Sequence, residues 1–225
     1  MPASRKTART PGAPAAEVAT PDASAAEVLR QADPVLRAVI DDVGPIDDFF
    51  VGRPTDHYGT LVRSIVGQQL STRAAASIYE RLLERFGGHA PTPEEVLADD
   101  PDELRSAAGL SHAKVRYLRS LAEHVLDGSL DLDALTKLPD DEVMAALVAV
   151  KGIGPWSAQI FLMFHLHRPD VLPVGDLGIR RAVKIRYGLA ELPTPAELTA
   201  IAEPWRPHRT LACIYLWRSL RVTPV

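Results

Sequence analysis

From Ala25 onward the apolar residues recur three and four positions apart, and no stretch alternates apolar and polar residues between turn signals. A buried stripe repeating every 3.6 residues belongs to helices, whereas a strand needs a period of two, so a core built from sheets is excluded. Val28, Leu29, Val35, Leu36, Val39 and Ile40 keep the helical spacing, with Asp33-Pro34 supplying a cap and a first-turn proline. Tyr58, Leu61, Val62, Ile65 and Val66 form the stripe of a further helix, and Ser71 caps one carrying Ala75, Ile78, Tyr79, Leu82 and Leu83. More helix starts are written as the capping box Thr92-Pro93-Glu94-Glu95, as Asp100-Pro101, near Ser111 and at Pro139-Asp140-Asp141. The expected fold class is all-α.

The chain of 225 residues is long enough for one substantial helical domain or two small lobes. Residues 1 to about 23 are rich in Ala, Pro, Thr and Ser and lack periodic apolar residues, so they are expected to be a disordered tail. Arg5, Lys6 and Arg9 make that tail either a basic arm touching a polyanion or a plain solvated end. No secretory signal is expected, because no apolar stretch follows those residues. No apolar run approaches the roughly 20 residues that cross a membrane. The lone cysteine, Cys213, excludes an intramolecular disulfide and a four-cysteine iron–sulfur cluster. A cytoplasmic location is expected.

The net charge of −4 is not the bulk footprint of a nucleic-acid binder. Charge is unevenly placed, however. Lys151, Arg168, Arg180, Arg181, Lys184 and Arg186 lie in one stretch opposed only by Asp170 and Asp176, while the acid is concentrated around residues 41–48 and 94–103. A phosphate-binding surface depends on the local field, so nucleic-acid binding stays open.

The most informative stretch is Leu147-Val-Ala-Val-Lys-Gly-Ile-Gly-Pro-Trp-Ser-Ala158. An apolar helix ends near Val150, Gly152 and Gly154 permit positive φ and close backbone approach, Ile153 pins the turn from inside, and Pro155 opens the next helix. Such a hairpin presents helix N-terminal N–H groups to a phosphate, although it also serves as a compact joint between two packed helices. Beyond it, Leu172-Pro-Val-Gly-Asp-Leu-Gly-Ile-Arg-Arg181 delivers Asp176 to the start of another helix. There it is an N-cap, a catalytic carboxylate, or both.

Lys151-Gly-Ile-Gly-Pro-Trp-Ser-Ala with Asp176 at that distance resembles the helix-hairpin-helix DNA glycosylases, in particular the DNA-3-methyladenine glycosylase II family. Ile65-Val-Gly-Gln-Gln-Leu-Ser-Thr-Arg-Ala-Ala is similar to the segment that enters the minor groove, Ala108-Gly-Leu-Ser-His-Ala-Lys114 to an internal helix junction, and Trp205-Arg-Pro-His-Arg-Thr-Leu-Ala-Cys-Ile-Tyr-Leu-Trp217 to the closing helix. The resemblance runs from about Ala25 to Leu220 and implies one domain over 24–225, in which a middle lobe of about 60–175 and a lobe formed by both ends flank a cleft.

The resemblance further implies a monomer that binds double-stranded DNA, flips an alkylated purine such as 3-methyladenine or 7-methylguanine, and releases it by hydrolysis to leave an abasic site. Asp176 falls on the family's catalytic aspartate, where an ionised carboxylate stabilises positive charge developing on the sugar. Bifunctional relatives carry a Schiff-base lysine two residues after the second hairpin glycine. Trp156 stands there in this chain, so no strand cleavage is expected.

Trp156 and Trp217 fall on positions that stack against a cationic base, yet an aromatic on an apolar helix also serves as core. Leu177 and Ile160 occupy positions where some members place pocket tyrosines, which leaves the range of bases open. Gln68 and Gln69 fit the minor-groove segment, with Gln69 aligned to the residue that fills the gap; as residues alone they are two polar groups at a helix end. Lys151, Gly152, Ile153 and Gly154 would bind DNA. The resemblance also implies that no cofactor is required and that a sodium or potassium ion would sit on the carbonyls of Val148, Val150 and Ile153. His165 and His167, two residues apart, do not share a helical face and are read as structural or exposed. The competing reading is a non-catalytic helix-hairpin-helix DNA-binding module in which Asp176 is only a cap.

Overall fold

The computed structural model describes residues 23–46 and 56–222, and the basic tail and the acidic Asp47 and Asp48 lie outside them. The described residues form α-helices joined by turns, with a single 3-10 turn at Glu203–Trp205 and no strand. The order is α1 (Ala23–Ala32), α2 (Pro34–Val43), α3 (His57–Gly67), α4 (Thr72–Arg85), α5 (Pro93–Ala98), α6 (Pro101–Ala108), α7 (His112–Leu126), α8 (Asp140–Ala149), α9 (Pro155–Phe164), α10 (Leu177–Arg186), α11 (Pro195–Ile201) and α12 (Arg209–Val222).

Caps set most of these boundaries. Asp33 accepts from the N–H groups of Val35 and Leu36, Ser71 from Ala74 and Ser111 from Lys114, each removing an orphan donor from a first turn. Thr92 with Glu95 and Thr194 with Glu197 form capping boxes. Gly109 ends α6 in the left-handed conformation, which costs glycine nothing.

Packing joins distant parts of the chain. Helix α12 lies against α2 and α10, and α1 against α2 and the 3-10 turn, while α3, α4, α6, α5 and α7 pack in a second run and α8 lies on α9. Asp33 ties the first group: besides its cap bonds, its other oxygen accepts from Trp205 Nε1 (2.9 Å) and from the Tyr187 hydroxyl (2.5 Å). Burial and the neighbouring carboxylate push the Tyr187 phenol above its ordinary pKa. In the second group, Arg85 at the end of α4 forks onto Asp99 (2.5 and 2.6 Å) between α5 and α6. The bond to Arg85 holds the Asp99 carboxyl below its usual pKa.

Half of the basic stretch is structural. Arg168 reaches the Leu138 carbonyl (2.7 Å) and Asp140 (3.3 Å), Arg180 the Pro193 carbonyl (2.8 Å) and Arg186 Asp42 (2.6 Å), whereas Asp170 is held by Arg206 and Arg209. Lys151 and Arg181 are exposed.

Candidate active site

The hairpin begins where α8 runs out. The Ile153 N–H donates to the Val150 carbonyl (3.0 Å), the Lys151 N–H to Ser120 Oγ (3.3 Å), and the Ile153 side chain is buried at 4% exposure. The two glycines do different work. Gly152 has φ +94, and a Cβ there would stand 2.2 Å from the Tyr117 ring, so only glycine lets α7 close on the turn. Gly154 is extended (φ −91), and a Cβ on it would meet nothing within 4 Å. Its bareness leaves an open face and answers to no backbone angle, which corrects the expectation of a positive φ at Gly154. Gly154 is the N-cap of α9 and offers no side-chain acceptor, so the first-turn N–H groups of α9 remain to be met by something else.

Asp176 is positioned by a tight turn in which its N–H donates to the Pro173 carbonyl (2.9 Å). It caps α10 by accepting from the Ile179 N–H (2.8 Å) and is 8% exposed. The same oxygen, Oδ1, accepts from Trp217 Nε1 (2.9 Å), and Oδ2 accepts from Trp156 Nε1 (2.6 Å). Two indoles from α9 and α12 thus converge on one carboxylate, and all its donors among the described residues are neutral. Gly178 leaves room for this meeting: a Cβ there would lie 3.0 Å from both Asp176 Oδ1 and Trp217 Nε1, close enough that one of them would have to shift. The quoted motif contains Gly178, but its purpose depends on a helix near the far end of the chain and left no local signal.

Trp156 is 48% exposed and is not a core residue, while Trp217 is half-buried with its ring 5.8 Å from that of Phe164. Leu177 is 63% exposed beside the carboxylate. Ile160 is half-buried and lines a cavity of about 270 Å³ with Ser64, Ser157, Phe161, Phe164 and His165. A second hollow of about 430 Å³ lies between the hairpin and the end of α3, lined by Gln68, Gln69, Lys114, Tyr117, Gly152 and Trp156. Ser157 borders both.

Gln68 and Gln69 part company: the Gln68 amide donates to the Gly152 carbonyl (2.8 Å), and Gln69 is exposed. His165 is half-buried, with Nε2 2.5 Å from His57 Nδ1 and Nδ1 2.9 Å from Thr60 Oγ1, and His167 is exposed. Sequence reasoning missed Lys114 and Tyr117 as site residues, since helix periodicity alone does not tell which face of α7 meets the hairpin. Burial lowers the Lys114 pKa, and burial followed by the nearby Asp176 charge raises that of the Cys213 thiol.

The carbonyls of Val148, Val150 and Ile153 lie in the last turn of α8 and the hairpin, where helix carbonyls lose their intrahelical partners. An all-oxygen, uncharged donor set suits a hard monovalent cation. Among the described residues no cluster of His, Cys, Asp and Glu could hold a metal ion, and no helix is long and apolar enough to cross a membrane.

The model of the HhH-GPD superfamily of base excision DNA repair proteins matches residues 62–207. The chain is similar to DNA-3-methyladenine glycosylase 1 of Schizosaccharomyces pombe, 34% identical over 167 residues that cover 73% of each protein. It spans 58% of the length of a Bacillus subtilis relative that it matches at 32% identity over 72% of its own length. Among solved structures, DNA-3-methyladenine glycosidase from Bacillus halodurans aligns with a TM-score of 0.78 at 37% identity, covering 88% of this chain and 89% of that one. The S. pombe 3-methyladenine DNA glycosylase in complex with abasic DNA aligns with a TM-score of 0.75 at 32% identity, covering 86% and 95%.

Proposed function

Since the chain belongs to the HhH-GPD superfamily of base excision DNA repair proteins, we propose that it is a monofunctional DNA glycosylase that excises alkylated purines. The observation that carries this reading is the Asp176 carboxylate, capped onto α10 and held by two indole N–H groups next to the hairpin. The substrate class is that of the relatives' names, DNA-3-methyladenine glycosylases, and it fits a site rich in aromatic faces. A purine alkylated at N3 or N7 in DNA carries positive charge, which weakens its bond to the sugar and draws it to an electron-rich ring, a contact worth about 1–2 kcal/mol when desolvated.

In the proposed reaction DNA is gripped at the hairpin through Gly152, Ile153, Gly154 and Lys151, and the Val148, Val150 and Ile153 carbonyls would hold a monovalent cation that would supply positive charge for a phosphate. Gln69 enters the duplex where the nucleotide has been flipped out. The base lies against Trp156, Ile160, Leu177 and Trp217, in the cleft between the lobe formed by both chain ends and the middle lobe. The C1′–N bond breaks with its electron pair leaving on the base, and Asp176 stabilises the cationic sugar and orients water. Water adds to C1′ and loses a proton, leaving an abasic site. Trp156 stands where a lyase would need an amine, so the strand stays intact. The enzyme acts as a monomer in the compartment that holds the DNA.

The test is incubation with methylated duplex DNA and chromatography of the released bases. The wild type is expected to release 3-methyladenine or 7-methylguanine without strand breaks. Asp176→Asn keeps a capping side chain and is expected to lose at least about 100-fold in release while still binding DNA. Release unchanged in Asp176→Asn would leave Asp176 only a cap, binding of DNA with no release by the wild type would favour the non-catalytic binding module, and strand breaks by the wild type would overturn the monofunctional assignment.

A further inference from the structure

Gln68 and Gln69 sit on one turn but face different tasks. The Leu70 N–H donates to the Gly67 carbonyl (3.3 Å), Gln68 has φ −54 and ψ 132, and Gln69 has φ +57. That is a type II turn, whose third residue is ordinarily glycine or asparagine because the left-handed region penalises other side chains. Glutamine at that position gives up backbone ease for a long polar side chain at an exposed tip. The turn is tied down on both sides. Lys114 Nζ donates to the Val66 carbonyl (2.7 Å), fixing the last turn of α3 to α7, and the Gln68 amide donates to the Gly152 carbonyl (2.8 Å) in the hairpin.

We propose that Gln68 is a positioning residue, not a DNA contact: its amide latches the turn that carries Gln69 to the hairpin that grips the strand. The inference rests on the glycosylase reading above and adds the part that couples grip to wedge. A wedge holding a duplex open works against re-pairing and re-stacking, which favour closure. A turn joined to the rest only by its own backbone would yield to that force. The latch sets a fixed separation between Gln69 and the hairpin, and a primary amide has both the length and the N–H donor to span it. The Gln68 amide N–H is thereby engaged at the hairpin, whereas Gln69 is exposed in the lining of the hollow that both border.

The experiment is single-turnover release of 7-methylguanine from two duplexes, one with the lesion paired to cytosine and one with it opposite an abasic analogue, where extrusion costs less. Gln68→Ala is expected to slow release roughly tenfold on the paired duplex and within about twofold on the other. Gln68→Glu keeps the shape but loses the donor, and is expected to behave the same way. Because the latch acts through Gln69, Gln68→Ala combined with Gln69→Ala is expected to be no slower than Gln69→Ala alone. Equal losses on both duplexes, no loss on either, or losses that multiply in the double variant would overturn the latch. Wild-type protein that releases no base from either duplex would instead bring down the glycosylase reading, and this inference with it.

Discussion

Asp176 performs one of the two duties that its sequence context left open, that of a helix cap, and the catalytic duty is the one proposed for it. It caps α10 through the Ile179 N–H, and it presents a carboxylate that two indoles hold in place. Gly178 is the small residue on which that arrangement depends. Gly178→Ala is expected to push Trp217 from the carboxylate and slow base release by about tenfold or more, a loss that single-turnover assays would measure. Thermal unfolding should change little, because alanine gains up to about 1 kcal/mol of helix propensity over glycine and offsets the local crowding. A large fall in stability with unchanged release would contradict this account of the contact. The aspartate was legible from its motif; the glycine was not, because the atom it makes room for lies on α12.

At the scale of elements, the hairpin glycines separate into one that shapes the fold and one that leaves a surface open. Gly152→Ala places a Cβ into the Tyr117 ring at positive φ and is expected to destabilise the protein by more than about 2 kcal/mol in denaturant melts. Gly154→Ala meets nothing and keeps an allowed φ, so its stability cost is expected within about 1 kcal/mol. Its effect should appear in weakened DNA binding, since the added methyl stands on the face proposed to meet phosphate. Equal effects of the two substitutions on stability would refute the division.

The tie between α4 and the α5–α6 junction behaves as a pH-dependent element. Asp99 titrates lower in the folded than in the unfolded chain, so its stabilisation is present in full above the ordinary carboxylate range and is lost as pH falls toward its depressed value. Asp99→Asn should therefore lower the melting temperature at pH 7 and narrow the gap to wild type in acid. A constant gap between pH 7 and pH 3 would remove the ion pair as its cause.

For the molecule as a whole, Cys213 reports on global opening. It is fully buried in the core, and burial beside the Asp176 charge raises its thiol pKa, so a thiol reagent should modify the native protein only at the rate of unfolding. Fast labelling under native conditions would show that α12 opens locally. The salt dependence of DNA binding should be shallow for a DNA-binding protein. Three of the basic residues between Lys151 and Arg186 are occupied in structural contacts, and each phosphate neutralised contributes a slope of only about −0.9. A slope as steep as −6 would require a further basic surface.

The amino-acid sequence by itself determined the all-helical class, most helix starts and the hairpin, because caps, proline positions and a 3.6-residue apolar period act within a few residues of one another. It also singled out Asp176, through a motif contiguous in the chain. Tertiary structure alone decided that Trp156 and Trp217 meet on one carboxylate, that Gly152 answers to Tyr117, that Gln68 turns to the hairpin while Gln69 does not, and that much of the basic stretch braces the fold. Each of these depends on which face of one helix meets another far along the chain, and local propensities carry no record of such a meeting.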